Sequence, residues 1–216
     1  MFALVCLVGG AMPSHAAGGH HAVDDAAILE PGTCQVEVWV DRASGGRGTL
    51  LHGGPACRVG AVELSLNLDR FQADGAGAVS AGGPQLKWAR ELAPALSAGI
   101  VLSAGLRDHA PNFIGGSVVV PVTWQVGESL RIHVNAGRDF LRGGPDLSRS
   151  GAAVEWMATS SWSLVAERFR EVRLDFWRAG IRYAPHSDIS VDLSRAEGLA
   201  GAPARWAVGL TVAFQR

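Results

Sequence analysis

The chain has 216 residues, of which 48% are hydrophobic, with 19 basic against 20 acidic side chains, enough for one large barrel or sandwich and with nothing that divides it into two domains. Balanced charge leaves no field to draw nucleic acid or an anionic membrane surface. Beyond the first few positions no apolar run approaches the roughly 18 residues of a membrane-crossing helix.

Residues 1–16, MFALVCLVGGAMPSHA, read as a secretory signal peptide: an apolar run from Phe2 to Val8, a Gly/Pro break, then Ser14, His15 and Ala16 before the cleavage point. No Lys or Arg precedes the run. Val5 stands where a lipoprotein signal has a small residue, so Cys6 is expected to leave with the peptide and the mature chain to begin at Ala17. Residues 17–32 read as a polar periplasmic segment. His20, His21, Asp24 and Asp25 within it are weak candidate ligands for copper, nickel or zinc, which imidazole and carboxylate suit. A terminus at Gly18 would wrap Cu(II) or Ni(II) through His20, but cleavage after Ala16 spoils that register. The segment is therefore expected to be a solvated tail, with metal binding as the alternative.

From residue 33 onward the side chains alternate with period two, the signature of a strand. Residues 33–42 set Cys34, Val36, Val38 and Val40 against Gln35, Glu37, Trp39 and Asp41. Residues 48–57 form a weaker strand, interrupted by Gly53, Gly54 and Pro55. Residues 61–70 oppose Val62, Leu64, Leu66 and Leu68 to Glu63, Ser65, Asn67 and Asp69. After a loop over 71–84, residues 85–92 oppose Leu86 and Trp88 to Gln85, Lys87 and Glu91. Residues 95–107 alternate without a slip, Leu96, Ala98, Ile100, Leu102, Ala104 and Leu106 on one face and Ser97, Gly99, Val101, Ser103, Gly105 and Arg107 on the other.

Residues 113–125 carry Val118, Val120, Val122 and Trp124 opposite Ser117, Thr123 and Gln125, with Pro121 a local departure because proline cannot donate to the ladder. Residues 129–138 oppose Leu130, Ile132, Val134 and Ala136 to Arg131, His133 and Asn135. A polar loop over 138–150 then leads to 151–159, with Val154 and Trp156 against Glu155. Strands at 162–169 and 174–184 follow, the latter with Trp177, Ala179, Ile181 and Tyr183 against Arg178, Gly180 and Arg182. Residues 188–194 oppose Ile189, Val191 and Leu193 to Ser190, Asp192 and Ser194, and 204–214 place Trp206, Val208, Leu210, Val212 and Phe214 on one face.

About twelve strands result, several at the 9 to 11 residues that a tilted strand needs to cross a bilayer. Short turns close every second interval and most longer loops fall between them, the pattern of a closed antiparallel up-and-down transmembrane β-barrel. A soluble barrel of twelve long strands would enclose a core too wide for these side chains to fill. The polar faces then put Glu37, Glu63, Asp69, Lys87, Arg131, His133, Glu155, Arg178, Arg182 and Asp192 on the lumen as candidate pore-lining groups. Trp124, Trp162 and Tyr183 lie beside short turns, where an interfacial aromatic girdle belongs; Trp39, on the polar face, does not. Cys34 opens the first strand and Cys57 closes the second, so the hairpin brings them to the same end and a disulfide is expected in the oxidising periplasm.

The run Asp24-Asp25, then Pro31-Gly32-Thr33-Cys34-Gln35-Val36-Glu37, Gly60-Ala61-Val62-Glu63-Leu64 and Ala179-Gly180-Ile181-Arg182-Tyr183 resembles the outer-membrane "transporter" barrels similar to the MetA-pathway-of-phenol-degradation proteins. That resemblance implies a small outer-membrane barrel with an uptake or channel role and no catalytic residue. The chain departs from the usual ending of such barrels, since Gln215 and Arg216 follow Phe214.

No nucleophile motif, phosphate loop or paired-cysteine zinc pattern is present, and His133 near Ser103 and Ser117 reads as a lumen histidine rather than a catalytic base. The expectation is a non-enzymatic barrel without cofactor, in the lipid of a Gram-negative outer membrane. Opposite charges in the lumen either line a narrow pore for a small solute or neutralise one another as buried pairs. The alternative function is a non-transporting structural or binding barrel.

Overall fold

A computed structural model describes residues 20–46, 48–73, 75–199 and 201–216; the expected signal peptide lies outside them. Twelve strands form one sheet: β1 Thr33–Ala43, β2 Gly48–Val59, β3 Val62–Gln72, β4 Val79–Ala93, β5 Leu96–Arg107, β6 Phe113–Gln125, β7 Leu130–Leu141, β8 Leu147–Met157, β9 Trp162–Glu171, β10 Leu174–His186, β11 Ile189–Gly198 and β12 Arg205–Gln215. Each pairs antiparallel with the next, and β1 with β12, closing the barrel. Closure leaves no unpaired strand edge.

Residues 60–61, 94–95, 126–129, 158–161 and 187–188 form short connections at one end, hereafter the turn end, where β1 also begins and β12 ends. Connections at the opposite, loop end run to four to six residues, with one exception. β9 and β10 are joined there by Val172 and Arg173 alone, whose φ values of 46° and 66° match the strand twist as a two-residue hairpin turn demands.

Two predicted loops are largely strand. β4 begins at Val79 rather than at 85, because Gly82 and Gly83 pair in the sheet; a Cβ on Gly83 would stand 1.9 Å from the Ala104 carbonyl oxygen. The glycines that suggest a loop are what lets β4 and β5 approach. Likewise β7 runs to Leu141 and β8 starts at Leu147, and Arg149 pairs with Asp139 across them at 3.1 Å, so charge in this stretch faces a neighbour and not a flexible loop. Pro121 sits inside β6 with the register on both sides unchanged.

The alternation reads directly in burial. Val36, Val38 and Val40, Leu64, Leu66 and Leu68, Ile100 and Leu102, and Val208 and Leu210 are exposed on the outer face, while the polar residues between them turn inward. The exposed apolar surface is a continuous belt, far beyond the few hundred Å² that a soluble monomer leaves in water. Trp124, Trp156, Trp162, Tyr183 and Phe214 ring its turn end, and Phe71, Phe113, Phe140, Trp177 and Trp206 its loop end. Trp162 and Tyr183 pack with ring centroids 4.5 Å apart. Trp206 and Phe214 lie eight residues apart on β12, about 27 Å along the strand at ~3.4 Å per residue, which a tilt of ~40° projects to about 21 Å, close to the ~25 Å of an outer-membrane apolar band.

Candidate functional site

All ten lumen candidates face inward. Lys87, His133, Glu155, Arg178, Arg182 and Asp192 are buried, and Glu37, Glu63, Asp69 and Arg131 half-buried. The structure joins most of them into one charged network that crosses the barrel. Arg178 on β10 meets Asp41 on β1 at 3.7 Å and Glu167 on β9 at 3.2 Å. Arg182, two steps of the alternation away, meets Asp192 on β11 at 2.7 Å and Glu155 on β8 at 3.9 Å. Glu155 also faces Arg131 at 3.5 Å and His133 at 3.6 Å, both on β7. His133 is hydrogen-bonded through Nδ1 to Thr123 Oγ1 on β6 at 2.9 Å, while Ser103 and Ser117 bond to each other at 2.7 Å instead of to that histidine. On the other wall Asp69 holds His52 at 2.7 Å, and His52 stacks on the inward Trp39.

Asp41 and Glu167 had no place among the candidates. Glu167 shares the inward face of β9 with Val165 and Phe169, while Ala166 and Arg168 face out, so the same period-two reading finds it once that strand's faces are assigned.

The largest departure from expectation is the segment before β1. Residues 20–29 are not a solvated tail: they lie inside the barrel, with His20 5% and Val23 1% exposed. The physical reason is that the wall satisfies their backbone. The amide N–H groups of Ala22 and Val23 donate to Glu167 at 3.2 and 3.0 Å, that of Ala26 to Thr123 at 2.8 Å and that of Leu29 to Glu63 at 3.0 Å. Arg178 donates to the His20 carbonyl and Arg58 to the Leu29 carbonyl. With its amide turned to suit, Asn135 donates to the Asp24 carbonyl at 2.9 Å and accepts from the Asp24 N–H at 2.7 Å. Asp25 accepts from Lys87 Nζ at 2.9 Å. Val23 packs with Phe169, Phe176 and Ala153, in a space that exists because residue 151 is glycine; a Cβ there would come within 2.6 Å of the valine.

The four candidate metal ligands do not converge on one point. His21 lies 3.6 Å from Glu167 and 3.8 Å from Asp192, His20 stacks on His21, and Asp25 belongs to Lys87. Among the described residues no group of three or more His, Cys, Asp or Glu side chains is placed to hold a metal ion. Burial drops the His20 pKa to about 3, with His21 and Arg178 acting in the same direction, so this imidazole is neutral where it sits.

Two cavities open at the turn end, each lined in part by the segment. One, of about 520 Å³, is bounded by Ile28, Leu29, Glu37, Arg182, Asp188 and Thr211. The other, of about 440 Å³, is bounded by Asp25, Ala26, Thr123, Glu128, Arg131 and His133. At the same end Cys34 stands opposite Cys57 in the β1–β2 register, and the two form a disulfide.

A closed barrel with an apolar belt outside, aromatic rings at both of its margins and charge within is a transmembrane β-barrel, the one sheet architecture that satisfies every backbone group in lipid. The family described as Uncharacterised conserved protein UCP029691 matches residues 4–214, and the chain belongs to it. The likeness to the MetA-pathway proteins rests on the short motifs alone. Among solved structures, the KdgM porin in complex with disordered oligogalacturonate is similar with a TM-score of 0.70 at 10% identity, covering 84% of this chain and 99% of that one. The NanC porin is similar with a TM-score of 0.62 at 10% identity, over 82% and 98% of the two chains. The P. putida toluene transporter TodX gives 0.55 at 7% identity, over 87% and 91%. At such identities the likeness is one of fold. No curated protein matches the sequence.

Proposed function

We propose that this protein is an outer-membrane barrel of a Gram-negative bacterium that passes a small solute through its lumen, with the turn end in the periplasm and residues 20–29 closing the passage. The observation that carries the reading is the way the lumen is filled. Its charges are bridged by a stretch of chain held through hydrogen bonds, an ion pair and the packing of one valine. Such contacts exchange with water when the stretch withdraws, whereas a lumen filled by its own strand side chains has nothing to withdraw.

The density of pairing across β7 to β11 favours a second reading, a structural barrel that is permanently shut. Planar-bilayer recording separates the two. Full-length mature protein is expected to be silent or to open briefly, and a variant lacking residues 20–29 to give sustained, discrete conductance steps. Silence from that variant as a folded, heat-modifiable barrel would establish the structural reading.

A further inference from the structure

The wall that holds residues 20–29 addresses the peptide unit more than the side chains. Carboxylates of Glu167 and Glu63 and the Thr123 hydroxyl accept from amide N–H groups, guanidinium groups of Arg178 and Arg58 donate to carbonyls, and the Asn135 carboxamide does both for one residue. These partners come from six strands, β2, β3, β6, β7, β9 and β10, so the recognition is built into the barrel and does not belong to one loop. Charged partners make such bonds roughly twice as strong as neutral ones.

We propose that the lumen is a binding site for short peptides and that residues 20–29 occupy it as an internal stand-in. This rests on the reading of the lumen as a passage and names the class of solute. Two side-chain contacts add selectivity to the main-chain ones. Val23 fills the niche beside Phe169, Phe176 and Gly151, and two residues later Asp25 meets the buried Lys87. The favoured ligand therefore carries a small apolar residue two positions before an acidic one.

The test uses the barrel lacking residues 20–29, checked for folding by heat-modifiable mobility. It is titrated in detergent with a fluorescein-labelled peptide of the sequence of residues 20–29, and binding is read by anisotropy. Saturable binding is expected, abolished in the full-length protein, whose site is taken. N-methylation at the positions of Ala22 and Val23 should weaken it at least about tenfold, as should asparagine in place of the aspartate at position 25. An unrelated peptide with valine and aspartate at the same spacing should compete.

Absence of saturable binding, or equal binding of the N-methylated peptide, overturns the proposal. Conductance from the shortened barrel without peptide binding removes the peptide assignment and leaves the passage; binding without conductance removes the passage and leaves a peptide-binding barrel. If the shortened barrel does not fold, the full-length Ala22→Pro, Val23→Pro variant, which lacks both N–H groups facing Glu167, takes its place in the same titration.

Discussion

Lys87 and Asp25 meet at 2.9 Å inside the barrel, both buried, 62 residues apart in the chain. Every other cationic side chain of the sequence apart from histidine is arginine, and this one lysine is spent on the segment before β1. A buried pair contributes little over well-packed apolar residues, but removing one partner strands the other charge at about 3 to 5 kcal/mol. Asp25→Asn should therefore loosen the segment and raise the open fraction in bilayer recordings well above that of the parent. The double change Asp25→Leu, Lys87→Met should return it toward the closed state. A double variant as open as the single one would show that the pair is no latch.

Arg182 stands between Asp192 and Glu155. Arg182→Glu removes the cation between two buried carboxylates and places a third beside them, and a destabilisation on the order of 3 kcal/mol or more is expected. The temperature of heat-modifiable migration should fall clearly below that of the parent, and Arg182→Met should fall less. An unchanged temperature accompanied only by altered ion selectivity would mean that these groups line open water.

Leu102 faces outward, 43% exposed, while its neighbour Ser103 faces inward to Ser117. Leu102→Arg should cost roughly 2 to 4 kcal/mol in the lipid-facing belt, against about 1 kcal/mol for Ser103→Ala, which loses one hydrogen bond. Folding titrations into lipid vesicles measure both. Equal costs would reverse the assignment of faces.

Cys34 and Cys57 link β1 to β2 beside the point where the segment enters the lumen. Protein exported to the periplasm should show no free thiol before reduction and two after it, by mass analysis of alkylated peptides. Reduction should leave the strands paired and lower stability by up to about 3 kcal/mol, the scale for a loop of this length. Two free thiols in the unreduced, folded barrel would refute the link.

The barrel was legible because each strand declares itself locally: Val36, Val38 and Val40, or Ile100 and Leu102, need only a period-two count to be placed outward. The ends of β4, β7 and β8 were less so, since Gly82, Gly83 and Asp139 have turn-like chemistry and are held in strand by pairing with Leu68, Asn67 and Ser117 on neighbouring strands. Residues 20–29 were not legible at all. HHAVDDAAIL has no strand or helix period, and what draws it inside is a set of acceptors and donors 29 to 158 residues away. Composition marks such a stretch as solvated; only the folded wall makes the lumen the wetter-than-apolar home its backbone requires.

The seam between β1 and β12 joins the two strands farthest apart in the chain. Their pairing carries the largest loop-closure cost in the sheet, so it is expected to close the cylinder after the eleven hairpin pairings. Until that moment the sheet is a trough open along one side, and the stretch leading into β1 lies at its rim. It can settle against Glu167, Thr123 and Glu63 from the side as the trough curls shut. No threading of a free end through a finished cylinder is needed, and refolding followed by burial of Val23 should show that stretch becoming protected together with the β1–β12 junction.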